Sequence, residues 1–306
     1  MSEPKAVSHF GVRGANDLAA LWRALPAAVV EFSNVSWPED TGLADLCDEL
    51  RSRCWREYCA RGHPSCANRN TSCQQKDSGC CAADSLFPVS IGGGAQSWRM
   101  ATLFLHWRPG LQVFQLIALG ETACTRIAWA AQLLENRFRL PPASKTDVSR
   151  LADLELPDAA RWRMVFVTPW VIEKNPPGKS EKKEKKPTIE IVTRKLAESL
   201  RQRAHKLTVL CTHDPVWQRL GGHLAHLVAD HLLFAGLVVE HVTQVHPVSF
   251  ECKSTGNGDT YHAHAWEGEL VLQANRHLLP WLTLLAVCGG GENADKGFGS
   301  VQLTPL

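Results

Sequence analysis

Val287-Cys-Gly-Gly-Gly-Glu-Asn-Ala-Asp-Lys-Gly-Phe-Gly-Ser-Val301 decides how the rest of this chain is read. An apolar helix, Leu278 to Val287, runs into Gly289, Gly290 and Gly291. A polar turn follows, then Lys296-Gly297-Phe298-Gly299 and a closing strand to Leu303. Three successive glycines let a backbone take φ > 0 and approach another backbone without a Cβ in the way. Gly297 and Gly299 flank Phe298 where a bulky neighbour would block a ligand. Such a loop suits a phosphodiester chain, because its N–H groups can point outward as an anion-binding concavity. Glycine-rich turns also end ordinary helices, and that plainer reading stays open.

Working outward, the same element order occurs twice. In the second half, a strand from Trp162 to Thr168 precedes a lysine-rich stretch, Lys179 to Lys186. A helix with Ile189, Val192, Leu196, Leu200 and Leu207 inward follows, then a helix from about Val216 to Phe234. Strands Leu237–Cys252 and Tyr261–Leu272 lead to the apolar helix and the glycine loop. In the first half, Ala27 to Val35 reads as a strand. Thr41 is placed to cap a helix with Leu43, Leu46, Cys47, Leu50 and Cys54 on one face. After a loop carrying most of the cysteines, Trp98–Trp107 and Leu111–Leu119 form a hairpin around Arg108-Pro-Gly110. A helix bearing Ala123, Ile127, Ala131, Leu134 and Phe138 ends this half, with no obvious final strand.

Strand–helix–strand–strand–helix–strand is the ferredoxin-like split βαβ plan. The fold class expected is therefore α+β, as tandem ferredoxin-like domains with a C-terminal glycine-rich loop. The first domain is expected over 1–150, with a cysteine-rich insert at 59–82. The second is expected over 155–306, with a lysine-rich loop at 175–187 and the glycine loop at 289–299. The boundary falls in the stretch Pro141 to Pro157.

Bulk composition agrees with a globular chain. It has 306 residues, 44% hydrophobic and 21% charged, enough for two domains. A net charge of +2 means that any nucleic-acid affinity comes from local basic patches. No apolar run reaches membrane-spanning length and Met1-Ser-Glu-Pro-Lys5 lacks a signal-peptide core, so a cytoplasmic location without membrane contact is expected. Seven of the eleven cysteines lie between Cys47 and Cys81, but none forms a C-x-x-C pair, the usual knuckle of a structural zinc site. Cys47 and Cys54 read as core packing.

Tandem ferredoxin-like domains with this loop resemble the RAMP superfamily of CRISPR-associated proteins, and within it the repeat-cleaving endoribonucleases that process precursor CRISPR RNA. The segments that carry the likeness occur in order. They are Leu50-Arg-Ser-Arg-Cys-Trp-Arg-Glu-Tyr58, the cysteine-bearing loop closing on Leu86-Phe87, Val113-Phe-Gln-Leu-Ile-Ala-Leu-Gly-Glu121, Val167-Thr-Pro169, and Gly289 to Gly299. The resemblance covers about residues 27 to 303.

It implies metal-independent RNA cleavage with no cofactor: a ribose 2′-OH attacks the adjacent phosphate, leaving a 2′,3′-cyclic phosphate and a 5′-OH. That chemistry needs a base, an acid and positive charge at the phosphorane. The family's histidine, where there is one, lies on or just after the first helix, and here that helix has none. His63 is the nearest replacement, beside Tyr58, with a solvated loop histidine as the alternative. His9 precedes the first strand, and His106 lies in a strand where burial or stacking is expected. Relatives in type IV systems resemble arginine-dependent enzymes, which would put Arg51, Arg53 and Arg56 at the site. Arginine acts there through charge and positioning, because it does not give up its proton.

RNA-binding candidates are Gly289, Gly290, Gly291, Lys296, Gly297, Phe298 and Gly299, with Arg194, Arg201, Lys182 and Lys183. Arg194, Arg201 and His205 share the helix face opposite the leucines, although Glu181 and Glu184 interrupt the lysines. Trp129 and Trp281 sit in apolar stripes and are expected in the core. His223, His226 and Asp230 lie at helical spacing, but Leu224, Leu227 and Leu232 share that helix and no metal is expected. His262 and His264 alternate along a strand and so share one face. The expected partners are CRISPR repeat RNA, as precursor and mature crRNA, and other effector subunits. Two other classes stay open: a catalytically silent RAMP subunit that binds crRNA, and a zinc adaptor built on Cys47 to Cys81.

Overall fold

The computed structural model describes residues 9–36, 43–58, 86, 102–175, 186–210, 223, 226–228, 230, 236–253, 260–291 and 298–306. The first described element is a helix absent from the sequence expectations, α1 (His9–Arg23), so His9 lies in its first turn. Then come β1 (Ala27–Phe32), α2 (Leu43–Tyr58), β2 (Leu103–Arg108), β3 (Val113–Leu119), α3 (Glu121–Phe138) and the two-residue β4 (Ser144–Lys145). The second half runs β5 (Arg161–Asn175), α4 (Ile189–Leu210), β6 (Leu237–Lys253), β7 (Thr260–Ala274), α5 (Leu279–Cys288) and β8 (Val301–Pro305).

The two four-stranded sheets share one topology, β2-β3-β1-β4 and β6-β7-β5-β8, and every pairing is antiparallel. In each, the first and third strands are central, which is the ferredoxin-like order. The final strand missing from the first half in sequence is β4, which pairs Ser144 and Lys145 with Glu31 and Val30. Two polar residues carry no strand periodicity, so this element forms only because β1 offers it an edge.

Both faces of the first sheet are buried. Ala28, Val30, Leu105, Leu116 and Ala118 pack beneath α2 and α3, with Cys47 and Cys54 in the same cluster. Ala27, Val29, Phe104, Ile117 and Leu119 face the other way and join the second half's core. Sheets covered on both sides read as near-continuous apolar runs, which is why the strand signals here were strong. The joint core holds Trp22, Trp162, Trp170, Trp266 and Trp281, with Trp22 edge-on to Trp281 at 5.0 Å between ring centroids. Trp129, expected inside, is 37% exposed and lies under the Arg126 guanidinium instead. Ile189, expected inward, is 47% exposed, because the first residue of α4 precedes the turn that meets the sheet.

Candidate nucleic-acid interface

Helix α5 is apolar on all sides and is buried from Leu279 to Cys288 apart from one alanine, so its C-terminal carbonyls emerge inside the protein. Buried carbonyls need partners. Arg203, on α4, supplies them: its Nε donates to Gly289 O at 3.1 Å and its Nη2 to Gly291 O at 3.2 Å. A cation at a helix C-terminus also complements the macrodipole. One turn earlier, Ser199 Oγ accepts from Gly291 N at 2.8 Å. Neither side chain was singled out in sequence. The available signal was a charged residue at 203 inside the stripe Leu196, Leu200, Ala204 and Leu207.

The glycines are needed for packing against β5. A Cβ on Gly290 would stand 2.2 Å from the Trp170 ring. Gly291 has φ +71 and would meet Val171 O, while Gly299 has φ +65 and would meet Gly290 O at 1.9 Å. Gly290 N donates to Gly299 O, Gly299 N to Pro169 O and Ser300 N to Thr168 Oγ1, each at 2.9 Å. The expected outward-pointing concavity is therefore corrected for the described part of the loop. The N–H groups of Gly290, Gly291 and Gly299 are spent inside the protein, because α5 ends in a dry seam where they cannot be left to water. Phe298, on the other side of β5, stacks on Phe250 at 5.3 Å and packs beside Val171, Ala263 and Ala265. The two described ends of the loop thus lie on opposite faces of β5, beyond the point where β8 ends its pairing at Phe166.

His106 closes the seam from the first sheet. Its Nε2 lies 2.7 Å from Val287 O and its Nδ1 3.3 Å from Ser300 Oγ. Burial pushes its pKa down to about 4, outweighing the bond to Val287, so the ring is neutral near pH 7. A carbonyl only accepts, so Nε2 carries the proton and Nδ1 accepts from Ser300. The space beside it, lined by Phe104, Cys288, Gly289 and Phe298, is about 10 Å³, at most a single water. His106 is a structural link between the halves with no room for a nucleotide.

The remaining candidates are scattered. Arg51 and Arg53 are half-buried on α2, and Arg53 bonds Glu49 at 2.6 Å, one turn back. Arg194 is exposed on α4. Arg201 and His205 do not share an open face with it. Arg201 lies 3.5 Å from Asp230, and His205 meets His226 at 4.7 Å between ring centroids, so each faces a neighbouring side chain. Burial pushes the His205 pKa down to about 4, helped by His226. Among the described residues no group of histidines, cysteines and carboxylates is arranged to hold a metal ion. Also among them, no helix is long and apolar enough to cross a membrane. His63, Lys182, Lys183, Lys296, Gly297 and the Cys59–Cys81 segment lie outside the described residues, as do the side chains of Arg56 and Tyr58.

No protein-family model matches the chain, and no curated protein matches it. Solved structures do. A Cas6 product complex is 16% identical with a TM-score of 0.44, covering 92% of this chain and 100% of its own. A Cas6-related protein from Pyrococcus furiosus is 10% identical with a TM-score of 0.41, covering 92% and 99%. Cse3 from Thermus thermophilus, bound to an RNA representing a pre-cleavage complex, is 12% identical with a TM-score of 0.36, covering 92% and 100%.

Proposed function

We propose that this protein is a CRISPR RNA-processing endoribonuclease. It binds the hairpin of the precursor repeat, cuts at its base by metal-independent 2′-OH attack, and stays on the mature crRNA among other effector subunits. One observation supports this most directly. The Thr168-Pro169 motif and the glycine loop, 120 or more residues apart in sequence and each part of the family resemblance, form one hydrogen-bonded unit through Ser300 and Gly299. Two weak motifs of one family that meet in space carry more weight than either alone. The glycine loop then acts as one edge of the RNA-binding surface. Arg194 and the lysine-rich loop add phosphate contacts, which position the RNA while its shape and unpaired bases select it.

A second reading is favoured by α2. Where the family's histidine is expected, Leu43–Tyr58 has none, and Arg53 is tied to Glu49. This suits a silent subunit that holds crRNA without cutting it. Analysis of the RNA ends separates the two. Incubation with the repeat RNA in EDTA should yield one cut, with a 5′-OH on one fragment and a 2′,3′-cyclic phosphate on the other. Binding without a cut supports the silent subunit.

A further inference from the structure

The glycine loop touches the second sheet at Trp170, which pairs with Trp266 across the ladder. One step outward along the same face, three strands place Ser249, His264 and Glu173 side by side, on β6, β7 and β5. Ser249 Oγ lies 2.8 Å from His264 Nδ1. Another step outward, His262 stands beside Glu251, with its Nε2 3.8 Å from the carboxylate. Both rings are half-buried, and both rise from a rigid strand in the middle of its sheet, not from a loop. Residues two apart on a strand share a face about 6.6 Å apart, which leaves room for one phosphate between two rings.

We infer that His262 and His264 are the acid–base pair of the proposed cleavage, set beside the glycine loop on the outer end of the second sheet. This rests on the endoribonuclease reading and supplies the groups that α2 lacks. The chemistry balances without a co-reactant. One neutral imidazole takes the 2′-OH proton as that oxygen bonds to phosphorus. The other, as imidazolium, protonates the departing 5′-oxygen as the P–O5′ bond breaks, and its charge faces the phosphorane until then. Ser249 on His264 and the Glu251 carboxylate beside His262 act as positioning groups that keep the rings from rotating. Two other described histidines are closed to RNA: His106 is sealed in the seam and His205 is packed on His226.

The test is single-turnover cleavage of the labelled repeat RNA in EDTA by the full chain and by His262→Gln and His264→Gln. Each variant should lose at least about 100-fold in rate, as removal of a general acid or base does, with its RNA affinity kept. A repeat with sulphur in place of the bridging 5′-oxygen has a leaving group that needs no proton. It should restore the variant lacking the acid and leave the other slow. Rates within about threefold of the parent at either histidine, or loss of binding equal to loss of rate, would overturn the pairing with the endoribonuclease reading intact. A parent chain that does not cut overturns both. As a check free of folding effects, a 2′-deoxy repeat should shield His262 and His264 of the parent from diethyl pyrocarbonate; unshielded rings would also overturn the assignment.

Discussion

Arg203 makes the sharpest prediction about how the glycine loop is held. Arg203→Met keeps the apolar stem but removes both donors, leaving Gly289 O and Gly291 O without the guanidinium in a buried seam. Hydrogen bonds from a charged donor contribute about 1.5–3 kcal/mol each, so the two set a loss of about 3–6 kcal/mol. Methionine recovers part of the stem's packing, which places the expected value near the lower end. At roughly 2–4 °C per kcal/mol for a chain somewhat smaller than this one, the melting temperature should drop by about 6–12 °C. Urea and thermal melts measure the loss. Hydrogen exchange locates it, because the Gly290, Gly291 and Gly299 amides should open first. Arg203→Lys should fall between the two, since an ammonium cannot span both carbonyls as the fork does. An unchanged melt, with those amides as protected as before, would refute the claim that Arg203 and Ser199 fix the loop.

Three further outcomes follow from the same geometry. Gly299→Ala puts a side chain at φ +65 with its Cβ 1.9 Å from Gly290 O, and should destabilise more than Gly290→Ala, where φ is not in the left-handed region and the obstacle is the Trp170 side chain; paired denaturation curves decide. His106 is held neutral by burial, with its pKa moved down to about 4 from 6.5. The unfolded chain therefore takes a proton first, and stability should fall by about 1.4 kcal/mol per pH unit as pH drops from about 6.5 towards 4. His106→Asn should flatten that limb in pH-dependent urea melts, while the part due to His205 and His226, both also shifted down, remains. Arg194→Ala, on an exposed helix face, should weaken repeat binding about equally for all RNA sequences and reduce the salt slope by about one contact, with unchanged melting; filter binding across salt concentrations measures it.

The first sheet was legible because its strands are covered on both sides and read as continuous apolar runs. β2 and β3 were visible from Leu103–Leu119 alone, and α5 from its leucines and tryptophan. What stayed hidden depends on tertiary context. α1 was missed because its short amphipathic stretch buries Leu18 and Trp22 only once the second half is there to receive them, with Trp22 Nε1 donating to Thr208 Oγ1. β4 needed the free edge of β1. The glycines at 289–291 and 299 were legible as a special loop, but their reason was not. Sequence cannot show that Trp170 and Arg203 occupy the space and the carbonyls that would otherwise be read as ligand-facing. The histidines divide in the same way: His262 and His264 share a face by strand geometry alone. The positions of Ser249 and Glu173 beside His264 depend on register across three strands and a bulge near Val171.

The most direct test of the account is cleavage of the repeat RNA in EDTA alongside the same RNA carrying one 2′-deoxy nucleotide at the cut. A 2′-hydroxyl nucleophile predicts a single cut in the first, none in the second, and equal affinity for both. Equal cutting of the deoxy substrate, or tight binding with no cut in either, would contradict the proposed chemistry.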